Sequence, residues 1–292
     1  MFRGGFCPNA RDQLIKPVIT KWRLKIRGFS AHTNKRQVQI KMKKQTANML
    51  PLLAIGAAVG LSSCATSTVG RIDDKTDAVL TAMSDKLAAA KTLRVTATRT
   101  SSPGFHPGID AAESASGTVV VQRPDKLAAQ IKSNRGRRSV GFDGHHLTIV
   151  DYAAGTHSVV KAVGDIDTTV SAIQAIYGVT PPIAELLVNH PKKHLLDGVQ
   201  SAKYTGLETV NGVECDRLTF QQERLTWRLW VATGDKLPRR IAFAYPNGEG
   251  GAPLTVNATI TKWELDPLVP TTGLTVGPPA KSRAVEMIPL SN

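Results

Sequence analysis

Few side chains in this sequence have the types and spacing for chemistry: three cysteines, seven histidines and some closely spaced carboxylates. His190 and His194 stand at i,i+4, as two ligands on one helix face would, but Lys192-Lys193 lie between them and no acid is in register. His145 and His146 are adjacent, so in a strand their rings point to opposite faces and cannot share a metal ion simply. Asp165 and Asp167 fall where helix-capping carboxylates belong. Cys215 has no obvious thiol partner and reads as a small buried hydrophobe. There is no Gly-x-Ser-x-Gly elbow, no Walker-type phosphate loop and no His-Glu-x-x-His. The expectation is therefore no catalytic residues, no metal and no cofactor.

The one thiol in a telling context is Cys64. It closes Leu61-Ser62-Ser63-Cys64, which follows Met42-Lys43-Lys44 and an apolar run from Ala47 to Gly60. A short positive start, a short apolar core and small residues before a cleavage point describe a secretory signal. The four-residue ending resembles the bacterial lipobox, whose cysteine thiol is diacylglycerylated and becomes the first residue. An ordinary membrane anchor or a non-lipidated signal is the alternative, but Pro51 breaks the run and it falls short of the roughly 20 residues a span needs.

Charge supports this division. The chain carries +14, yet residues 1–44 hold twelve basic side chains against one acid, Asp12, and from Cys64 onward 25 basic face 22 acidic residues. The basic excess is an N-terminal feature and no argument for nucleic acid, and 5% aromatics offer few stacking platforms. The expected organisation is an upstream extension that is not native over 1–41, a lipoprotein signal peptide over 42–63, a tether over 64–71 and one domain over 72–292. A genuine basic arm or a transit peptide is the other reading of 1–41.

The elements follow from period. Asp73-Asp74 open a helix whose apolar positions recur at helical spacing to about Lys91. From Thr92 the period becomes two, predicting strands over 92–100, 116–123, 126–133, 137–142, 146–152 and 156–162. Asp143-Gly144 between two such runs marks a hairpin. Residues 165–177 read as a helix, Pro181-Pro182 open a second to about Asn189, and 190–197 form a turn or a third. Strands resume over 202–209, 213–220, 225–232, 238–245 and 253–263, with a hairpin loop at Asn247 to Gly251, and a Pro/Gly-rich tail begins at Thr271. The fold class is α+β: a curled antiparallel sheet of about eleven strands, an unclosed half-barrel with an N-terminal helix and a helical lid insertion.

That order of elements resembles the outer-membrane lipoprotein carrier and receptor proteins of Gram-negative bacteria, the LolA/LolB-like superfamily. Several segments resemble more closely an uncharacterised bacterial family of predicted periplasmic proteins: Arg123-Pro-Asp-Lys-Leu, Phe142-Asp-Gly, Pro181-Pro-Ile-Ala-Glu-Leu-Leu, Gly212-Val-Glu-Cys-Asp-Arg-Leu, Trp227-Arg-Leu-Trp230 and Lys236-Leu-Pro-Arg-Arg. The likeness covers about residues 72–290 and consists of structural punctuation, so it bears on fold more than on function. It implies a carrier-like half-barrel at the periplasmic face of a Gram-negative cell envelope. Ala65 after the lipid-bearing cysteine implies outer-membrane anchoring under the carriers' sorting pattern.

The expected function is non-enzymatic: a membrane-anchored protein, lipid-attached at Cys64, that binds a hydrophobic ligand or a lipoprotein acyl chain. The cavity candidates are Leu147, Ile149, Leu225, Trp227, Leu229, Ile241, Phe243, Tyr245, Val256, Ala258 and Ile260, one alternating face of four strands. The same residues could fill a solid core. Two alternatives stand beside this: an envelope interaction or sensor protein with such a core, and a hydrolase of envelope glycans or lipids. The run Arg135, Arg137, Arg138 reads as a solvated hairpin tip or as a patch for anionic headgroups or lipopolysaccharide.

Overall fold

The computed structural model describes residues 72–105, 110–177, 183–247 and 251–289. The upstream extension, the signal segment, Cys64, the tether, His106, Pro181-Pro182 and the middle of the Asn247–Gly251 loop lie outside these.

Helix α1 (Asp74–Ala89) begins where Asp73 takes extended geometry and its carboxylate accepts the Thr76 N–H at 2.7 Å. The other oxygen of Asp73 accepts the Tyr204 N–H at 2.6 Å, so the cap also docks the helix against the sheet. Val79, Leu80, Met83 and Leu87 form its buried stripe.

Six strands follow as a meander: β1 (Thr92–Ser101), β2 (Glu113–Gln122), β3 (Lys126–Ser133), β4 (Gly136–Phe142), β5 (His146–Asp151) and β6 (Thr156–Lys161). At the β4–β5 turn Asp143 accepts the N–H groups of His145 and His146, and Gly144 takes φ +92°, which explains the Asp-Gly pair. The insertion comprises α2 (Ile166–Tyr177), α3 (Ala184–Leu187) and α4 (Pro191–Leu195). A second meander follows: β7 (Ser201–Val210), β8 (Val213–Gln222), β9 (Leu225–Ala232), β10 (Pro238–Asn247) and β11 (Gly251–Leu265).

Strand β11 pairs with β1, joining the two meanders and a short β12 (Arg283–Ala284) into one sheet in the order β12-β6-β5-β4-β3-β2-β1-β11-β10-β9-β8-β7. Its outermost strands, β12 and β7, do not pair with each other, so the sheet is an open half-barrel. All eleven expected strands are present, with a short twelfth, β12 (Arg283–Ala284), pairing parallel to β6. The segment after Thr271, expected as an exposed tail, is instead partly fastened to the convex face. Leu274 is buried, Val276 lies where a Cβ on Gly141 would come within 2.6 Å, and Ser282 Oγ lies 2.8 Å from His157 Nδ1.

One apolar core lies in the concavity, where Leu80, Met83 and Leu87 of α1 meet Leu186, Leu187 and Leu195 of the insertion and the inner side chains of the strands. A smaller cluster, Val210, Cys215, Trp230 and Ala232, lies on the convex face. Cys215 is fully buried there, and burial pushes its thiol pKa up, as suits a packing residue. Among the described residues no helix is long and apolar enough to cross a membrane.

Candidate ligand-binding face

Alternation and register together define the inner face as successive rows across the strands. The first row is Leu93, Val121, Leu127, Phe142 and Leu147, each opposite the next. The second is Val95, Val119, Ala129, Val140 and Ile149. In the third, Ala97, Gly117 and Ile131 are apolar, whereas Arg138 and Asp151 are charged. Arg99 lies in the fourth, opposite Ala115, and Ser101 and Glu113 form the fifth. Burial falls from the first row, mostly enclosed by the helices, to the third, whose members are all half-exposed, and returns at the fifth, where Ser101 and Glu113 are buried.

The second meander continues the face. Leu229, Ile241 and Ala258 stand in one row, and Trp227, Phe243 and Val256 in another. Phe220 stacks on Trp227 with ring centres 3.7 Å apart, and Phe243 follows at 6.1 Å. All eleven candidates therefore share the concave face, but in two environments. Leu147, Trp227, Leu229, Ile241, Val256, Ala258 and Ile260 are buried, whereas Ile149, Leu225 and Phe243 are half-buried and Tyr245 is exposed.

Two polar clamps hold the helical insertion over this face. Arg123, before the cis bond to Pro124, donates to the carbonyls of Ala90, Leu187 and Val188, to Leu87 O at 3.3 Å and to Asn189 Oδ1 at 3.1 Å. One guanidinium thus satisfies carbonyls at the C-terminal ends of both α1 and α3. Burial lowers its pKa, with Asp167 opposing. The second clamp is Asp167 in the first turn of α2, which accepts from the N–H groups of Asn189 and His190 and lies 2.8 Å from His190 Nδ1, with His194 Nε2 3.5 Å away. Asp165 caps α2, accepting the Thr168 N–H at 2.8 Å, so only one of the two aspartates has the capping role expected for both. The acid that the histidine pair lacks in its own helix comes from another element, which spacing could not reveal. Among the described residues no cluster of three or more His, Cys, Asp or Glu is arranged to hold a metal ion.

Beneath this insertion, α2 turns Val170 and Ile173 to the core but leaves Ile176 exposed. Glu185 of α3 is pushed up to about 7 by burial, and the charge of Asp197 adds to the shift. Tyr245 is 36% exposed as a whole residue, but its hydroxyl end is enclosed, and burial with the charge of Glu185 raises its pKa. Two shallow depressions on the convex side have about 90 Å³ and 160 Å³, the first between Arg228 and Asn257 and the second between Tyr152 and Ser282. Both are below the roughly 300 Å³ of ordinary small-molecule pockets.

Residues 76–288 match the family model described as predicted periplasmic protein, DUF2092. The chain belongs to that family. The solved structures it resembles are of low identity to this DUF2092 member. An uncharacterised conserved protein from Thermus thermophilus is 10% identical, with TM-score 0.44 over 73% of this chain and 99% of its own. The Mycobacterium tuberculosis lipoprotein LppX is 16% identical, with TM-score 0.37 over 68% and 99%. A LolA superfamily protein from Nitrosomonas europaea is 10% identical, with TM-score 0.33 over 68% and 97%. No curated protein matches this DUF2092 chain in sequence.

Proposed function

We propose that this is a non-enzymatic, lipid-anchored cell-envelope protein that binds a hydrophobic ligand or a lipoprotein acyl chain on the concave face of its half-barrel. The observation that carries the reading is the inner face itself. Apolar rows pass from enclosed to half-exposed beneath a helical insertion that packs on the core and is tied down by two polar clamps. In the closed arrangement Ile149, Leu225, Phe243 and Tyr245 meet the ligand. The buried set, with Trp227, Leu229 and Ile241 at its centre, is reached when α2–α4 lift. Each methylene buried contributes about 0.8 kcal/mol.

In this reading Cys64 carries the lipid, the chain faces the periplasm, and Ala65 directs it to the outer membrane. Titration of the delipidated protein with a fluorescent fatty acyl probe is the test: saturable binding is expected, and its absence refutes ligand binding. Mass spectrometry of the native N-terminus tests the anchor. A diacylglyceryl-modified Cys64 is expected, and recovery of a peptide spanning Arg3 to Lys41 overturns the assigned start.

The full burial of Leu229, Ile241 and Trp227 favours one other reading, an envelope interaction or sensor protein with a solid core. Co-purification of a stoichiometric protein partner without lipid distinguishes it.

A further inference from the structure

Charged side chains are seldom placed on the inner face of a curved sheet, yet the third to fifth rows hold Arg138, Asp151, Arg99 and Glu113. Arg135 reaches the same place from the β3–β4 turn. Glu113, almost wholly buried, is ion-paired by both Arg99 and Arg135, and Asp151 accepts the Nε–H of Arg138 at 2.8 Å. Among the described residues three guanidiniums thus face two carboxylates, a positive excess. Both Nη groups of Arg138 are without a protein partner among the described residues. In the fifth row, opposite Glu113, Ser101 is only 4% exposed, and its hydroxyl has no hydrogen-bond partner among the described residues. A buried hydroxyl left unpaired carries a desolvation cost, which an incoming acceptor would relieve.

The apolar rows run directly into this cluster. Val140 is followed at the next inner position of β4 by Arg138, Ile149 on β5 by Asp151, and Ala97 on β1 by Arg99. Successive inner positions lie about 7 Å apart, so rows two to four span about 13 Å. The face is therefore amphipathic along its length: apolar and half-exposed in the middle, cationic at the end away from α1. Arg137 is excluded from it by alternation, and lies 4.0 Å over the Tyr152 ring on the convex side.

We propose that this end is a headgroup subsite, and that the ligand of the half-barrel is a single-chain anionic amphiphile. Its acyl chain lies on the second and third rows, and its carboxylate or phosphate head is held by Arg138 and Arg135. This inference rests on the proposed function and narrows it to a ligand class. Guanidinium forks favour such heads because two parallel N–H donors match two anionic oxygens.

The test uses the full chain reconstituted in phosphatidylcholine vesicles and photolabelled with three chain-matched diazirine probes: palmitate, hexadecyl phosphate and hexadecanol. Label on the peptides carrying Ile131, Val140 and Ile149 is read by mass spectrometry. At least one anionic probe is expected to label them about tenfold more than the alcohol, the preference shrinking as salt is raised. Comparison of the two anionic probes separates a carboxylate head from a phosphate head. The double variant Arg135→Gln/Arg138→Gln should reduce the preference toward unity while labelling by hexadecanol persists. Equal labelling by all three probes overturns the headgroup subsite and leaves hydrophobic binding standing. No label on these strands from any probe overturns both. Should the variant fail to fold, the salt dependence of the wild-type preference decides: a preference unchanged by salt overturns the proposal.

Discussion

The carboxylate of Asp167 lies 2.8 Å from His190 Nδ1, linking the first turn of α2 to the start of α4 across 23 residues of sequence. The same carboxylate accepts the backbone N–H groups of Asn189 and His190. Asp167→Ala should therefore free α3–α4 from α2 more than it unfolds the sheet. The expected outcome is faster hydrogen exchange for amides of residues 189–195, with about 1–3 kcal/mol lost overall. Unchanged exchange there would show that this carboxylate does not hold the lid.

Arg123 closes the same insertion from the other side. Replacing it by Met removes every donor that now satisfies the carbonyls of Ala90, Leu187 and Val188. A loss of about 3 kcal/mol is expected in denaturant unfolding. Arg123→Lys keeps the charge but not the planar fork, and should recover only part of that loss. Full recovery by lysine would mean that charge alone matters.

Asp73 combines an N-cap with a cross-link to β7, and Asp73→Ala should cost about 1–2 kcal/mol. Burial raises its pKa, but hydrogen bonds from the Thr76 and Tyr204 N–H groups outweigh this and hold it below its ordinary 3.8. A lowered folded-state value means the stabilisation is complete above the unfolded value and is lost as pH falls through the folded one. The wild type should lose stability on acidification below about pH 4 more steeply than Asp73→Ala. Parallel acid limbs in melting curves would refute this.

Glu185 has the opposite sign. With its pKa at about 7 instead of the ordinary 4.5, the folded state holds a proton that the unfolded state releases. Its contribution is therefore complete below pH 4.5 and declines as pH rises through about 7. Glu185→Gln should flatten that decline in melting temperature between those limits. It should also suppress any pH-dependent loosening of α3, whose neighbours Ala184, Leu186 and Leu187 are buried. A wild-type slope kept intact in the variant would exclude Glu185 as its source.

The strands were legible because their apolar residues alternate; Leu225, Trp227, Leu229 and Val231 reach the core in the order that period two requires. Trp230, placed by the same rule on the opposite face, is indeed there, with the Arg240 guanidinium 4.8 Å over its ring. The C-terminal segment was not legible. Its contacts with Gly141 and His157 lie more than a hundred residues back and leave no local periodicity.

What the sequence determined by itself is whatever depends on near neighbours: the alternation that builds each strand, the Asp73 cap, the Asp-Gly turn and the concentration of most of the basic excess in the first segment. Only the tertiary structure decided which of the inner-facing residues are core and which are surface. It also decided that Arg123 and Asp167 hold the lid, and that Arg99, Arg135 and Arg138 converge on one end of the face. The reason is physical. Alternation specifies the side of the sheet on which a residue lies, whereas burial and charge pairing depend on what another part of the chain brings to it. For Arg99 and Arg135 that partner is Glu113, and for His190 and His194 it is an aspartate in α2.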